Sequence, residues 1–217
     1  MGLRERKKEQ TRQAIAETAW RLFAERGYDR VSVAEIARAA EVAEATVFNY
    51  FPTKEDLFYS RLEAFGDQLV EAIGARPPGE PALAAFGRFM LDSGGWLRQA
   101  EAGDTAAMDR LRTVNRLIAA SPDLQAREQL AIARSTRALA DLLADQTGAG
   151  PDDIASKVAA NALMGVHRAL LDEVRRRVLA GEEPARLAAD IRVLTRQALA
   201  LLEHGLGDYG AGSPPSR

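Results

Sequence analysis

Two short helical patterns set almost back to back, between Ser32 and Pro52, constrain this 217-residue chain more than any other feature. Ser32 precedes an apolar periodicity and has Glu35 three residues on, an arrangement in which each side chain satisfies an otherwise unpaired backbone N–H at a helix start. Val33, Ile36, Ala37 and Ala40 then fall on one face, Glu35 and Arg38 on another. After Glu41, Val42 and Ala43 the run from Ala45 to Phe51 is again helical, with Val47 and Phe51 spaced to point inward. Pro52 ends it, because proline disfavours a helical residue before itself and has no N–H to donate. Helices of about two turns are too short to be stable alone. They need a third to pack on, and the preceding segment supplies one from about Lys8 to Arg26, with Ile15, Ala19, Leu22 and Phe23 on one side and Gly27 as its stop. Trp20 either extends that core or packs against the next helix along the chain.

Short paired helices on a third are a helix-turn-helix, whose second helix enters the major groove of DNA. The outer residues of that helix suit the task. Ala45 lets backbone and bases come close, Asn49 can pair with adenine in bidentate fashion, Thr46 offers a hydroxyl to phosphate and a methyl to thymine, and Tyr50 stands beside them. Thr53, with Asp56 at the box position, opens the following helix, and Lys54 in its first turn places a cation at a helix N-terminus, where phosphate is favoured.

At these residues the chain resembles a known family. The run GYDRVSVAEIARAAEVAEATVFNYFPTKEDLF, Gly27 to Phe58, is similar to the DNA-binding domain of the TetR family of bacterial transcriptional regulators, through Gly27, Tyr28, Ser32, Val33, Ile36, Ala37, Val42, Thr46, Val47, Phe51, Lys54 and Leu57. The resemblance covers roughly the first third of the chain and implies that Ser32, Glu44, Ala45, Thr46, Asn49, Tyr50 and Lys54 touch DNA. Three residues depart from the family pattern. Phe48 stands where a tyrosine hydroxyl usually reaches a phosphate, Ala43 replaces a frequent serine, and Glu44 replaces a basic or small residue. The first two each remove a backbone contact, and the third is unfavourable near phosphates unless it accepts from a cytosine amino group.

Charge sharpens the reading. The net charge of −2 excludes a bulk polyanion binder, but residues 1–12 hold Arg4, Arg6, Lys7, Lys8 and Arg12 against Glu5 and Glu9. Arg4, Lys7 and Lys8 therefore form a candidate arm for phosphates or the minor groove, or else a solvated, partly disordered terminus. The charged start is not a signal peptide and no run is apolar enough for a membrane span, so a cytoplasmic protein without membrane contact is expected. Zero cysteines and two separated histidines exclude disulfides and leave no metal site; no cofactor and no catalytic residue is expected, since no nucleophile motif or phosphate loop accompanies the acid and base candidates His167, Asp172 and Glu173.

Beyond Thr53 a helix is predicted to about Ile73, with Phe58, Leu62, Phe65, Leu69 and Ile73 on one stripe and Leu57 turned elsewhere; it is long enough to link two domains. Glycines and prolines from Gly74 to Pro81 form the one clear linker. Five more helices are predicted: Ala82–Ala100, broken or kinked near Ser93, Gly94 and Gly95; Asp104–Ala120; Pro122–Gln146; Pro151 or Asp152 to Gly181; and Pro184–Gly205. Alternating β-branched runs are absent, so the fold expected is all-α with about nine helices. The division expected is a DNA-binding domain over 9–69, with the helix-turn-helix at about 32–51, a larger effector-binding and dimerisation domain over 82–206, and a disordered tail at 207–217.

In the last two helices Leu187, Ile191, Leu194, Ala198 and Leu201 are spaced as a seam, and Leu170 and Val174 face similarly. Spacing alone fits an intramolecular core as well as a dimer. The need of a helix-turn-helix to span two half-sites, and the four-helix interface that the TetR resemblance implies, favour a homodimer, with Arg175, Arg176 and Arg177 as a solvated or rim run. A small-molecule pocket is likewise implied by the family. Its candidates are Phe86, Phe89 and Met90, then Trp96, Met108, Leu111 and Asn115, then Asn161, Met164, His167 and Arg168. The function expected is a sequence-specific DNA-binding regulator, a repressor released from a palindromic operator by an effector, or else a ligand-independent or activating regulator of the same kind.

Overall fold

The computed structural model describes residues 2–60, 64–92, 95–150 and 152–205, all of it helix and connecting turn. Leu62, Ser93, Gly94, Pro151 and the tail at 207–217 lie outside the described residues, as do the side chains of Leu3 and Arg4. Among the described residues eleven helices follow one another: α1 (Leu3–Arg26), α2 (Val33–Ala39), α3 (Glu44–Tyr50), α4 (Lys54–Tyr59), α5 (Ala64–Gly74), α6 (Ala82–Asp92), α7 (Gly95–Glu101), α8 (Thr105–Ala120), α9 (Pro122–Thr147), α10 (Ile154–Leu179) and α11 (Pro184–His204). The predicted fourth helix is described as α4 and α5, on either side of residues 61–63, and the fifth as α6 and α7, on either side of 93–94, both stretches lying outside the described residues.

The first helix starts at Leu3 rather than Lys8, so the basic arm is helical. The N–H of Gly2 donates to Glu5 Oε2 at 2.9 Å, and good helix formers run on from Leu3 without glycine or proline.

The chain forms two compact units. The first comprises Met1–Gln68 with Asp109–Ser135, the second Leu69–Met108 with Thr136–Arg217. This differs from the contiguous division at 82 that the sequence suggests. Within the first unit α1 packs on α2 and α4, and α2 on α3. Ile15, Ala19, Phe23, Ile36 and Val47 are fully buried, and rings fill the remainder: Phe23 and Tyr28 at 5.1 Å between centroids, Phe58 and Tyr59 at 5.1 Å edge-on, and Trp20 against Phe58 at 5.8 Å. Trp20 thus packs on α4. Leu57, placed off the stripe that begins at Phe58, is enclosed as well, at 2% exposure. The reason is that residues from the α8–α9 corner belong to this unit and surround α4. Tyr59 donates its hydroxyl to the Leu124 carbonyl at 2.8 Å, Arg127 pairs with Asp56 at 3.1 Å, and Ser121 Oγ bonds Asp29 Oδ1 at 3.0 Å.

In the second unit α11 packs against α6, α7 and α10. A Cβ on Gly87 of α6 would stand 2.9 Å from Leu199 Cδ1, so the two helices approach as closely as a missing side chain allows. Arg192 of α11 makes a two-pronged pair with Glu101 of α7, at 2.6 and 2.7 Å. Arg177, expected on a solvated or interface-rim run, is only 9% exposed within its own unit. The turn at Ala180–Gly181 folds α11 back, which brings the carboxylates of Glu182 and Asp190 onto its guanidinium. The cap of α10 is Asp153, whose carboxylate accepts the Ser156 N–H at 2.8 Å; Asp152 instead pairs with Lys157.

Candidate nucleic-acid interface

Short helices hold a shape only if their ends are satisfied, and here both ends of α2 are. The Glu35 N–H donates to Ser32 Oγ at 3.2 Å, while the Ser32 N–H donates to Glu35 Oε2 at 2.9 Å. Arg26 of α1 completes the tie at 2.8 Å. The Ser32 backbone donor, then the Arg26 and Ser32 side chains, hold the Glu35 carboxyl down to about 2. At the other end, the Glu41 N–H bonds the Arg38 carbonyl and the Val42 N–H bonds the Ala37 carbonyl, the crossed pair of bonds that reverses a chain after a helix. That reversal needs a left-handed residue, and Glu41 supplies it at φ 55, the sole positive φ outside glycine among the described residues.

From that turn α3 emerges with Ala43 as a cap that makes no side-chain bond. Val47 and Phe51, at 0% and 2% exposure, anchor it, and the Arg12 guanidinium stacks 5.2 Å from the Phe51 ring. With its inner face fixed, the outer face is determined: Glu44, Ala45, Phe48 and Asn49 are exposed, Thr46 and Tyr50 half-buried at the margins. The structure thus brings Ala45, Thr46, Asn49, Tyr50 and Glu44 onto one helix, with Ser32 at the start of α2 and Lys54 at the start of α4. Lys7 and Lys8 are exposed on α1.

Two of these residues are already engaged. Ser32 Oγ also donates to the Glu35 carboxylate at 2.9 Å, so its hydroxyl closes the cap. The Lys54 ammonium lies 4.0 Å from the Tyr28 ring centroid and 5.9 Å from that of Phe23, and burial pushes its pKa below the ordinary value. Tyr28 in turn donates its hydroxyl to Glu55. Its own pKa is raised by burial and by that neighbouring carboxylate. Sequence reasoning missed this lysine-on-ring arrangement, although Tyr28 and Lys54 were both singled out.

The candidate effector residues divide between the units. Leu111 and Asn115 fall in the first, where the Asn115 amide donates to the Leu111 carbonyl of its own helix at 2.8 Å. In the second, Phe86, Met108 and Met164 are enclosed at 0%, 3% and 2% exposure, Phe89, Met90 and Trp96 are half-buried, and Asn161 and Arg168 are exposed. Asn161 bonds the Lys157 carbonyl. His167 is half-buried on α10, and burial, helped by the charge of Arg168, lowers its pKa to about 4. A cleft of about 580 Å³ lies elsewhere in that unit, between Glu173, Arg176, Arg177, Glu182, Arg186 and Asp190. Among the described residues no cluster of histidine and carboxylate suits a metal, and no helix is long and apolar enough to cross a membrane.

Of the candidate dimer residues, Leu170 and Leu187 are enclosed by their own unit, at 7% and 0% exposure. Val174, Ile191, Leu194, Ala198 and Leu201 are half-buried. The apolar side chains that α10 and α11 expose most are ones the seam spacing did not select: Ile154 at 72%, Val158 at 59% and Val193 at 49%.

Comparison with known proteins agrees with this geometry. A family profile described as bacterial regulatory proteins, tetR family, matches residues 15–60, and a second, described as the MftR C-terminal domain, matches residues 96–207. The chain is 36% identical over 85 residues to the transcriptional regulator TcmR of Streptomyces glaucescens, a match spanning 39% of this chain and 38% of that protein. It is 28% identical over 168 residues to the putative mycofactocin biosynthesis transcriptional regulator MftR of Mycobacterium tuberculosis, spanning 74% and 78%. Among solved structures its fold matches NalD, the secondary repressor of the MexAB-OprM multidrug efflux pump in Pseudomonas aeruginosa, at a TM-score of 0.56 and 19% identity, covering 89% of this chain and 97% of that one.

Proposed function

The chain belongs to the TetR family of bacterial regulatory proteins, and from that premise we propose that it is a homodimeric cytoplasmic repressor that reads a palindromic operator through α3 and is released by a small-molecule effector. One observation carries the DNA-reading part: Val47 and Phe51 lock the inner side of α3, which leaves Ala45 and Asn49 outward on a helix narrow enough for the major groove. Ala45 keeps the approach close and Asn49 supplies paired donor and acceptor for adenine. Thr46 and Tyr50 at the margins, Lys54 and Ser32 at neighbouring helix starts, and Arg4, Lys7 and Lys8 along α1 are assigned to the phosphates. For Lys54 this means sliding off the Tyr28 ring toward the backbone.

Two copies are needed because one short helix reads few base pairs, and half-sites about 34–36 Å apart match a two-fold pair. Ile154, Val158 and Val193, with the half-buried Ile191, Leu194, Ala198 and Leu201, are the apolar surface assigned to the partner. The effector is assigned to the half-buried Phe89, Met90, Trp96 and His167 of the second unit, which would offer it apolar side chains and a neutral imidazole. It acts by preferring one arrangement of the two recognition helices, and a preference of about 100-fold biases the equilibrium by about 2.7 kcal/mol. The reading involves no catalytic step.

The test is a gel-shift titration on duplexes spanning the DNA that flanks the gene. A palindromic fragment bound by two chains, and lost with Thr46→Ala, Asn49→Ala, is the expected result; equal binding to every fragment would refute it.

A further inference from the structure

The DNA-reading assignment gives no task to Phe48, yet that ring is 44% exposed on α3 while its neighbour Val47 is at 0% and Phe51 at 2%. Single exposed hydrophobic side chains are ordinary on a protein surface, so exposure by itself decides nothing. Position does. Successive residues of an α-helix are rotated by about 100°, so the exposed Glu44, Phe48, Ala45 and Asn49 follow one another across an arc of about 140°. Ala45 and Asn49 lie opposite the buried Val47 and Phe51, and Phe48 lies beside Ala45 on the side toward Glu44. When a helix lies in the major groove, the residues opposite its buried side meet base edges, and those flanking them lie between base edges and the sugar–phosphate walls. Ala45 is too short to fill the space beside Asn49, and the exposed phenyl ring next to it is long enough to reach a base edge there.

A phenyl ring has neither donor nor acceptor to offer there. Base edges in the major groove present amino donors, ring-nitrogen and carbonyl acceptors, and one apolar group, the C5-methyl of thymine. Set against a polar edge, the ring strips water from groups it cannot satisfy; set against a methyl, both lose apolar contact with water. We infer that Phe48 is a specificity-determining residue that selects a thymine in each half-site through its C5-methyl group. This rests on α3 being the DNA-reading helix. It also gives the departure from the family's usual tyrosine a consequence: the missing hydroxyl leaves the ring with an apolar readout in place of a phosphate contact.

The experiment starts from duplexes selected by the full-length wild-type protein out of a random pool at low salt. Each thymine of the selected sequence is then replaced by deoxyuridine, which removes the methyl and leaves the hydrogen-bonding edge intact. At one thymine per half-site the loss is expected to be about fourfold in affinity, the weight of one buried methylene-sized group, and about fifteenfold with both half-sites substituted. Phe48→Ala is expected to bind thymine and deoxyuridine duplexes within about twofold of each other, because the partner of the methyl is gone. The wild-type arm needs no variant to fold, and the exposure of Phe48 predicts unchanged melting for Phe48→Ala. Wild-type protein indifferent to every deoxyuridine, or Phe48→Ala as sensitive as wild type, overturns the inference. So does a Phe48→Tyr variant that gains affinity equally on selected and scrambled duplexes, since its hydroxyl would then be meeting phosphate. A selection that enriches no sequence overturns the DNA-reading assignment and this inference together, whereas enrichment without a methyl effect overturns this inference alone.

Discussion

Both units contain ion pairs and a close approach at a glycine, but the first also interlocks a cluster of rings with reciprocal helix caps. In the first, Phe23, Tyr28 and Phe58 pack within 5.1–6.2 Å of one another, Tyr59 lies 5.1 Å from Phe58, and reciprocal caps at Ser32 and Thr53 fix where α2 and α4 begin. In the second, Gly87 lets α6 approach Leu199 of α11, and Arg192 and Arg177 clamp carboxylates from neighbouring segments. The difference follows from the task assigned to each. A helix that reads base edges must present its outer residues in one orientation, and interlocking rings resist small rotations. A unit that accommodates an effector is better served by aliphatic side chains, which repack at low energetic cost.

The largest effect that sharpens this contrast is Phe58→Ala, which empties the centre of the ring cluster. A loss of about 3–5 kcal/mol is expected in urea unfolding, with loss of DNA binding. Next is Gly66→Ala in the same unit, where a Cβ would stand 2.2 Å from Ser135 Oγ; overpacking of this kind costs about 1–3 kcal/mol, and Ser135→Gly in the same chain is expected to recover much of it. A smaller change of opposite sign is Glu41→Gly. It relieves the left-handed strain at φ 55 and is expected to raise stability by about 0.5–1 kcal/mol, less than the full strain because glycine also loosens the unfolded chain. No gain in melting temperature would mean that this turn is not strained.

The two units also differ in their response to acid. Glu35 titrates at about 2 in the folded chain against an ordinary 4.5, so the stability from its cap is present above about 4.5 and is lost as pH falls toward 2. His167 titrates at about 4 against an ordinary 6.5, so the unfolded chain takes up its proton first and stability falls as pH drops from 6.5 to 4. Melting curves of Ser32→Ala and His167→Gln against pH separate the two windows. The Ser32→Ala deficit is expected to shrink below about pH 4.5, and His167→Gln to flatten the fall between 6.5 and 4. Coincident windows would undo the contrast.

The same difference explains what could be read from the sequence. Ser32 with Glu35, Pro52, and Thr53 with Asp56 act within three residues, so the helix starts and stops around α3 were legible, and so was its inner pair Val47 and Phe51. The membership of 109–135 in the first unit was not, because Tyr59 to Leu124 and Arg127 to Asp56 are meetings across 65 and 71 residues that leave no local periodicity. The burial of Arg177 depends on where the Gly181 turn sends Glu182 and Asp190, which three successive arginines do not disclose. The alanine- and leucine-rich helices of the second unit offer several equivalent apolar faces, and spacing alone does not tell that Leu187 is enclosed by its own unit while Ile154 and Val158 are exposed.

All of this turns on the exposed side of α3 being the surface that discriminates one DNA sequence from another. Fluorescence anisotropy of wild type and Asn49→Ala on a selected duplex and its scrambled counterpart measures that discrimination directly. The account predicts that Asn49→Ala melts like wild type yet loses about tenfold or more of the preference for the selected duplex, the worth of a bidentate base contact. A variant that keeps the full preference would contradict it.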